Sequence, residues 1–310
     1  MRRLLLLLLL LTAGCGAATT GPTAAASAGT ARPAAAPTDR VRYVVVPHPD
    51  DEFSAWSLLA RDTGHYDVFI LLTHGEAGGA CNGAGLQSDA GERVPQPQPF
   101  AGRRTATCSA ERVDSWHAFL DGMAQSDGHL DVPRHVGTRH GYDLYVGRHT
   151  ARLVFDYGDG RLTPAEVVAA IAAARAERPA YGVQAEDDVI GAAYYNDSDP
   201  NFYRYQHTDQ RAVQQALWST DLGTPGPQLA RTWPADPRRS LTRQVPADIY
   251  QAAMAVTPGP PAPRTNPTAR RVGVLQRVYG WLAFTGSYWP AEAQPRSFFF
   301  SSSQDFWSRH

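Results

Sequence analysis

The chain has no lysine; all 29 basic residues are arginine, which is a skew of composition rather than of function. Against 30 acidic residues the formal net charge is −1, so no basic excess argues for nucleic acid as a partner. There are three cysteines, at 15, 81 and 108, and no C-x2-C pair, which excludes a zinc ribbon. The longest leucine run, Leu4–Leu11, is too short to span a bilayer, which takes roughly 20 residues. Internal repeats are absent. What remains is 310 residues with 43% hydrophobic content, enough to build one large globular core.

The N-terminus is organised for export. Residues 1–15, "MRRLLLLLLLLTAGC", combine a two-arginine start, an apolar run and a small-residue stretch. "LTAGC" resembles a bacterial lipoprotein signal, in which Cys15 is lipidated and becomes the new N-terminus. Residues 16–38 are almost entirely Ala, Thr, Gly, Pro and Ser and read as a disordered tether. A single domain is expected over 39–310, held at the outer face of a membrane only through the lipid. Cys81 and Cys108 remain as an even pair in an oxidising compartment, the setting of a disulfide.

The domain opens with "VRYVVV" (41–46), a buried strand with the composition of a parallel sheet. A helix is expected over 52–62 and a second strand over 67–73, a right-handed βαβ unit. Residues 75–104 form a long loop rich in Gly and Pro. Helical spacing over 108–124 puts Val113, Trp116, Phe119, Leu120 and Met123 on one side. "ARLVFDYGDG" (151–160) reads as a strand ending in a turn. Thr163, Pro164 and Glu166 form a capping box with proline at the first helical position, predicting a helix over 164–177. A buried strand over 188–196 and a helix from Thr208 through Trp218 follow. Beyond 221 the chain is Pro-rich, with helices expected near 246–256 and 269–284 and an aromatic tail suited to core packing. Strands alternating with helices predict an α/β fold, a three-layer sandwich around a mostly parallel sheet.

The first strand runs directly into His48, Pro49, Asp50, Asp51 and Glu52. Three consecutive carboxylates repel one another, and a bound cation is the first candidate to offset them. Ligands in such sheets bind at the carboxyl ends of strands. Two strand ends therefore bring together His48 and Asp51, which share one face of a helix start, and His207, which follows the strand 188–196. Histidine with a carboxylate and water matches a catalytic zinc site, whose water acquires a pKa of about 7. Asp50 is then the general base and, later, the acid for the leaving amine. Arg104 and Arg112 are candidates to grip substrate hydroxyls or phosphate, and His74 to line the pocket. A lone Asp-Asp pair is ordinarily a solvated turn. The buried strand before it and a later Tyr-x-His element favour chemistry instead.

"PHPDDE" (47–52), "LLTHGEAG" (71–78), the Arg/Glu-containing helix at 108–124 and "YQHTDQRA" (205–212) together resemble the LmbE-like/PIG-L family of zinc-dependent N-acetylglucosaminyl deacetylases, over most of 41–220. The resemblance implies a Rossmann-like sheet and hydrolysis of an N-acyl group, acetyl in the family, on an amino-sugar or glycoconjugate. It implies His48 and Asp51 as zinc ligands and Asp50 as base. The family's second element is H-x-x-H. Here His207, with Tyr205 two residues ahead, falls on the position that stabilises the tetrahedral intermediate, and Gln210 falls on the third ligand. Three arrangements follow: His207 shifts to bind the metal, Gln210 serves as a weak ligand, or the site is degraded and the chain is a non-catalytic carbohydrate-binding relative.

Overall fold

The computed structural model describes residues 40–78, 102–123, 133–137, 141–183, 185–194, 206–232, 236–254, 273–279 and 300–309, all within one compact unit, Thr38–His310. Its centre is the β-branched run that follows Arg40. Val41, Tyr43, Val44, Val45 and Val46 are fully buried in strand β1, Arg40–Val46. Burial on both faces is the signature of an interior parallel strand. Strand β2, His65–Leu71, pairs with β1 in parallel on one side. Strands β3, Arg134–Val136, and β4, Tyr142–Val146, are antiparallel to each other. β4 joins β5, Thr150–Phe155, also antiparallel. β5 in turn is parallel to β2. On the other side of β1, β6, Ala185–Gly191, and then β7, Gln228–Thr232, continue in parallel. Strands β8, Arg239–Gln244, and β9, Ser303–Ser308, close that edge antiparallel. The order among the described residues is β3-β4-β5-β2-β1-β6-β7-β9-β8.

The fold is thus mixed α/β, with five parallel central strands and antiparallel strands added at both edges. The expectation of a mostly parallel sheet holds for the centre only. The outermost strands lack a buried run on both faces: β3 is half-buried at most, and β8 is "RSLTRQ" and lies largely exposed. The aromatic tail enters the sheet as β9, where Phe306 and Trp307 are fully buried.

Helices cover both faces of β1, following the alternation of its side chains. Val44 and Val46 pack with α1 (Trp56–Leu59), α2 (Ala106–Gly122), α6 (Ala247–Met254) and α7 (Val274–Val278). Val41, Tyr43 and Val45 pack with α3 (Pro164–Ala176), α5 (Thr208–Ser219) and Tyr181 of the short α4, Arg178–Tyr181. Each fully buried large apolar side chain contributes about 1.5–3 kcal/mol. The capping box of α3 is present: Thr163 Oγ1 accepts from the Glu166 N–H, and Glu166 accepts from the Thr163 N–H. The helix expected over 52–62 is shorter. A 3-10 turn, Glu52–Ala55, leads into α1, which stops at Ala60, whose ψ of 126° leaves the helical region, and Arg61 follows at φ 65°. No helix among the described residues is long and apolar enough to cross a membrane.

Candidate metal centre

From β1 the chain moves to β2 on one side, whereas β6 is succeeded by β7 on the other. The carboxyl ends of β1 and β6 therefore flank a topological switch point, where open α/β sheets leave a crevice. His48 leaves the end of β1, and His207 caps the N-terminus of α5, the helix after β6. A third element reaches the same place. After β5 the chain turns through Gly158 and Gly160, both at positive φ (83° and 81°), and Asp159 is held between them.

These elements place four side chains around one point. His48 Nε2 lies 3.1 Å from Asp209 Oδ2 and 3.6 Å from Asp159 Oδ1, and His207 Nε2 lies 3.4 Å from the same Asp159 oxygen. One ligand atom from each of His48, Asp159, His207 and Asp209 falls within 4.8 Å of the other three. Ligands bonded tetrahedrally at about 2.0–2.1 Å sit about 3.3 Å apart, so the spacing suits a metal ion. The carboxylates are prepared for one. Asp159 Oδ2 accepts the Ala77 N–H at 2.6 Å. Its Oδ1 accepts no hydrogen bond although the residue is only 2% exposed. Asp209, fully buried, accepts from the Gly160 and Leu162 N–H groups at 2.8 and 3.0 Å. A buried acceptor without a donor is costly unless a cation faces it. A buried His/Asp cluster able to hold a metal ion is therefore present.

Asp51 and Gln210 stand on the other nitrogen of the His48 ring. Asp51 Oδ2 is 3.1 Å from His48 Nδ1 and accepts the His48 backbone N–H at 3.2 Å. Gln210 Nε2 donates to that same oxygen at 2.6 Å. The i, i+3 spacing of His48 and Asp51 does bring the two side chains together, but by a hydrogen bond to Nδ1 and not around the point shared with Asp159 and Asp209. Gln210 presents an N–H group to Asp51, and its Oε1 is buried without a hydrogen-bond partner.

The electrostatics follow the same geometry. Burial disfavours a charged His48, yet its hydrogen bonds to Asp209 and Asp51 and the nearby acidic charges outweigh that and push its pKa to about 10. A proton there supplies the positive charge a metal otherwise supplies, and the two compete. Burial and the positive charge of His48 lower His207, against the pull of Asp209 and Asp159. His207 Nδ1 accepts the Asp209 N–H at 3.3 Å, which puts the ring proton on Nε2. Its side chain is 32% exposed, making it the open member of the group.

Asp50 sits beside the cluster with its side chain 18% exposed. Burial and the Asp51 charge raise its carboxyl to about 7, against Arg112 and His48. Its φ is 105°, a conformation few non-glycine residues adopt and one found at functional sites. Glu52 is fully buried and pushed by burial to about 8, against a hydrogen bond from Tyr279 Oη at 2.6 Å. Arg112 is buried and ties the motif together: Nε donates to the His74 carbonyl at 2.8 Å, Nη2 donates to the Pro49 carbonyl at 3.1 Å, and Nη2 lies 3.6 Å from Asp50 Oδ1. Gly75, at φ 65°, makes room for it; a Cβ there would fall within 2.8 Å of the guanidinium. Arg112 thus ties the His74 and Pro49 carbonyls to the Asp50 turn. Arg104 is exposed in the turn before α2, and His74 is half-buried and joined to the site through its backbone. Tyr205, Cys81 and Cys15 lie outside the described residues. Cys108 is buried in the first turn of α2, and its expected bridge to Cys81 remains an expectation.

Asp159 and Asp209 are the members of the cluster that pattern reasoning missed. The signal for Asp159 was "YGDG" at a strand end, a carboxylate held between two turn glycines. Asp209 stood inside "YQHTDQRA" but has the look of an ordinary first-turn acid. A scan against protein-family models finds no match to this chain, and a search of curated proteins finds no significant match.

Proposed function

We propose that the chain is a metal-dependent amidohydrolase that removes an acyl group, acetyl in the first instance, from the nitrogen of an amino-sugar. The observation that carries this reading is the buried His48–Asp159–His207–Asp209 group with the half-open Asp50 carboxyl beside it. His48, Asp159 and Asp209 would hold the ion, with His207 on the open side, and zinc is the metal proposed. Zinc bound there would supply Lewis acidity toward the amide carbonyl and would lower the pKa of water to about 7. Asp50, with a carboxyl near 7, takes a proton from the attacking water as its oxygen bonds to the amide carbon. His207 Nε2–H, directed by the Asp209 N–H at Nδ1, donates to the carbonyl oxygen as it becomes negative. The C–N bond then breaks, Asp50 returns its proton to the leaving nitrogen, and a carboxylic acid and an amine depart. Arg112 holds the Pro49 and His74 carbonyls so that Asp50 keeps its aim.

The fold belonging to this reading is a Rossmann-like three-layer sandwich, supported by helices on both faces of β1. The location is outside the cell membrane, supported by the signal-like residues 1–15. A second reading, glycan binding without catalysis, is favoured by one observation: His48 is already clamped between two carboxylates, so a proton alone offsets their charge.

The test is a panel of N-acylated amino-sugars incubated with the zinc-loaded protein, with release of primary amine as the readout. Amine release that Asp50→Asn reduces by at least a hundredfold supports the hydrolase. Sugar binding that is indifferent to chelators and to Asp50→Asn, without amine release, supports the second reading.

A further inference from the structure

The family pattern places the metal between His48, Asp51 and the residue at 210. The side chains here do not fit that arrangement. Asp51 Oδ2 is already met by three donors: the His48 N–H, the His48 ring at Nδ1 and the Gln210 amide. An amide flip at Gln210 would set its oxygen 2.6 Å from an Asp51 oxygen, closer than the roughly 3.3 Å that two tetrahedral zinc ligands keep. The other ring nitrogen, Nε2, also meets a carboxylate at hydrogen-bond distance, Asp209 Oδ2 at 3.1 Å, and what sets this side apart is Asp159 Oδ1, 3.6 Å from Nε2 and a buried acceptor with no hydrogen bond.

We propose that Asp51 and Gln210 are positioning residues: together they lock His48 through its Nδ1 side, so that the ion is taken at Nε2 with Asp159 and Asp209. Gln210 is then a built part of the site and not a vacated ligand position. The chain of contacts runs Gln210 Nε2–H to Asp51, Asp51 to His48 Nδ1–H, and His48 Nε2 to the ion. A carboxylate accepting the far N–H of a ligating histidine fixes its tautomer and strengthens it as a donor. Gln210 matters because it donates to the same Asp51 oxygen that meets Nδ1, while adding no charge. Ligation at Nε2 uses the tautomer whose proton is on Nδ1, the nitrogen that faces Asp51. The proposal rests on the reading of the cluster as a metal site.

The experiment measures Zn2+ affinity of the full chain by competition with a chromophoric chelator, together with bound zinc by elemental analysis and the 15N shifts of the His48 ring. Four variants are compared: Gln210→His, Gln210→Glu, Asp51→Asn and Asp159→Asn. The expected result is stoichiometric zinc in the unaltered protein, with His48 Nδ1 protonated and Nε2 ligating. Asp51→Asn weakens binding about 10–100-fold, and Asp159→Asn weakens it at least a hundredfold. Gln210→His leaves affinity within threefold or weakens it, and Gln210→Glu weakens it, because an ionised carboxylate cannot donate to Asp51. Thermal melts of the zinc-free variants identify any that fail to fold, and the two substitutions at 210 give independent answers. The proposal is overturned if Gln210→His or Gln210→Glu tightens zinc binding tenfold or more, if Asp159→Asn leaves it unchanged, or if His48 ligates through Nδ1. Zinc binding as expected without amine release overturns the hydrolase reading and leaves this proposal standing. Absence of zinc binding overturns both.

Discussion

Asp50 holds a backbone conformation that a β-carbon opposes, and the cost can be measured separately from its charge. A non-glycine residue in a sparsely populated region of backbone space costs about 1–3 kcal/mol. Asp50→Gly removes that cost at φ 105°, while the greater freedom of glycine in the unfolded chain takes back about 0.5–1 kcal/mol. The net expectation, before any change in charge, is a gain of about 0–2.5 kcal/mol, centred near 1 kcal/mol. The backbone N–H of Asp50, which donates to Glu52 Oε2 at 3.0 Å, survives the substitution. Asp50→Asn is the control: it removes the charge and keeps the β-carbon, so strain remains. The two variants, stripped of metal by a chelator, are compared by urea denaturation and by thermal melting. Asp50→Gly is expected to exceed Asp50→Asn by about 1 kcal/mol, equivalent to about 2–4 °C at roughly 2–4 °C per kcal/mol for a domain of this size. Both variants lose amine release. If Asp50→Gly is no more stable than Asp50→Asn, the turn is unstrained and its geometry cannot be a device that aims the carboxyl.

Three further expectations rest on other parts of the molecule. Gly75→Ala forces a left-handed conformation on alanine and pushes a methyl into the Arg112 guanidinium, straining its bonds to the His74 and Pro49 carbonyls. The expected loss is about 2–4 kcal/mol, read from the urea midpoint, and a change under 0.5 kcal/mol would show that Arg112 moves aside at no cost. At the opposite end of the strands, His65 bridges Asp62 and Asp187 at 2.9 and 2.7 Å. Burial opposes its protonation, but the Asp187 hydrogen bond and the charges of Asp62 and Asp188 raise its pKa above 6.5. Its contribution is present in full below pH 6.5 and is lost as pH rises through the raised value. The stability difference between the unaltered protein and His65→Gln should therefore be larger at pH 5.5 than at pH 9, and equal differences would refute the assignment. Chelation of divalent ions should lower the melting temperature of the metal-loaded protein, because an ion that binds only the folded state contributes about 2.7 kcal/mol at a hundred times its Kd. An unchanged melt after verified removal of metal would separate the cluster from any metal-linked stability.

How much of this was legible in the sequence depended on how local each signal is. The strand β1 and the helix α3 announce themselves within their own segments, one by a buried β-branched run and the other by a capping box that the structure reproduces bond for bond. The edge strands do not. β8 has neither alternation nor a buried run, and it exists because the distant β9 offers it a ladder and Thr242 donates to Asp305 at 2.6 Å. Pairing across some sixty residues leaves no mark on either segment alone.

The site divides along the same line. Spacing could say that His48 and Asp51 meet, because three residues at a helix start put them on one face, and they do. It could not say which nitrogen of the ring they meet at, and that detail decides which carboxylates are left for an ion. Nδ1 is claimed by a neighbour three residues away, a contact made by local geometry. Nε2 is left to Asp159 and Asp209, which reach it only after the chain has passed through β5 and β6. Local spacing thus determines the orientation of the histidine and long-range topology supplies the acids. A short motif carries the first of these and is silent on the second.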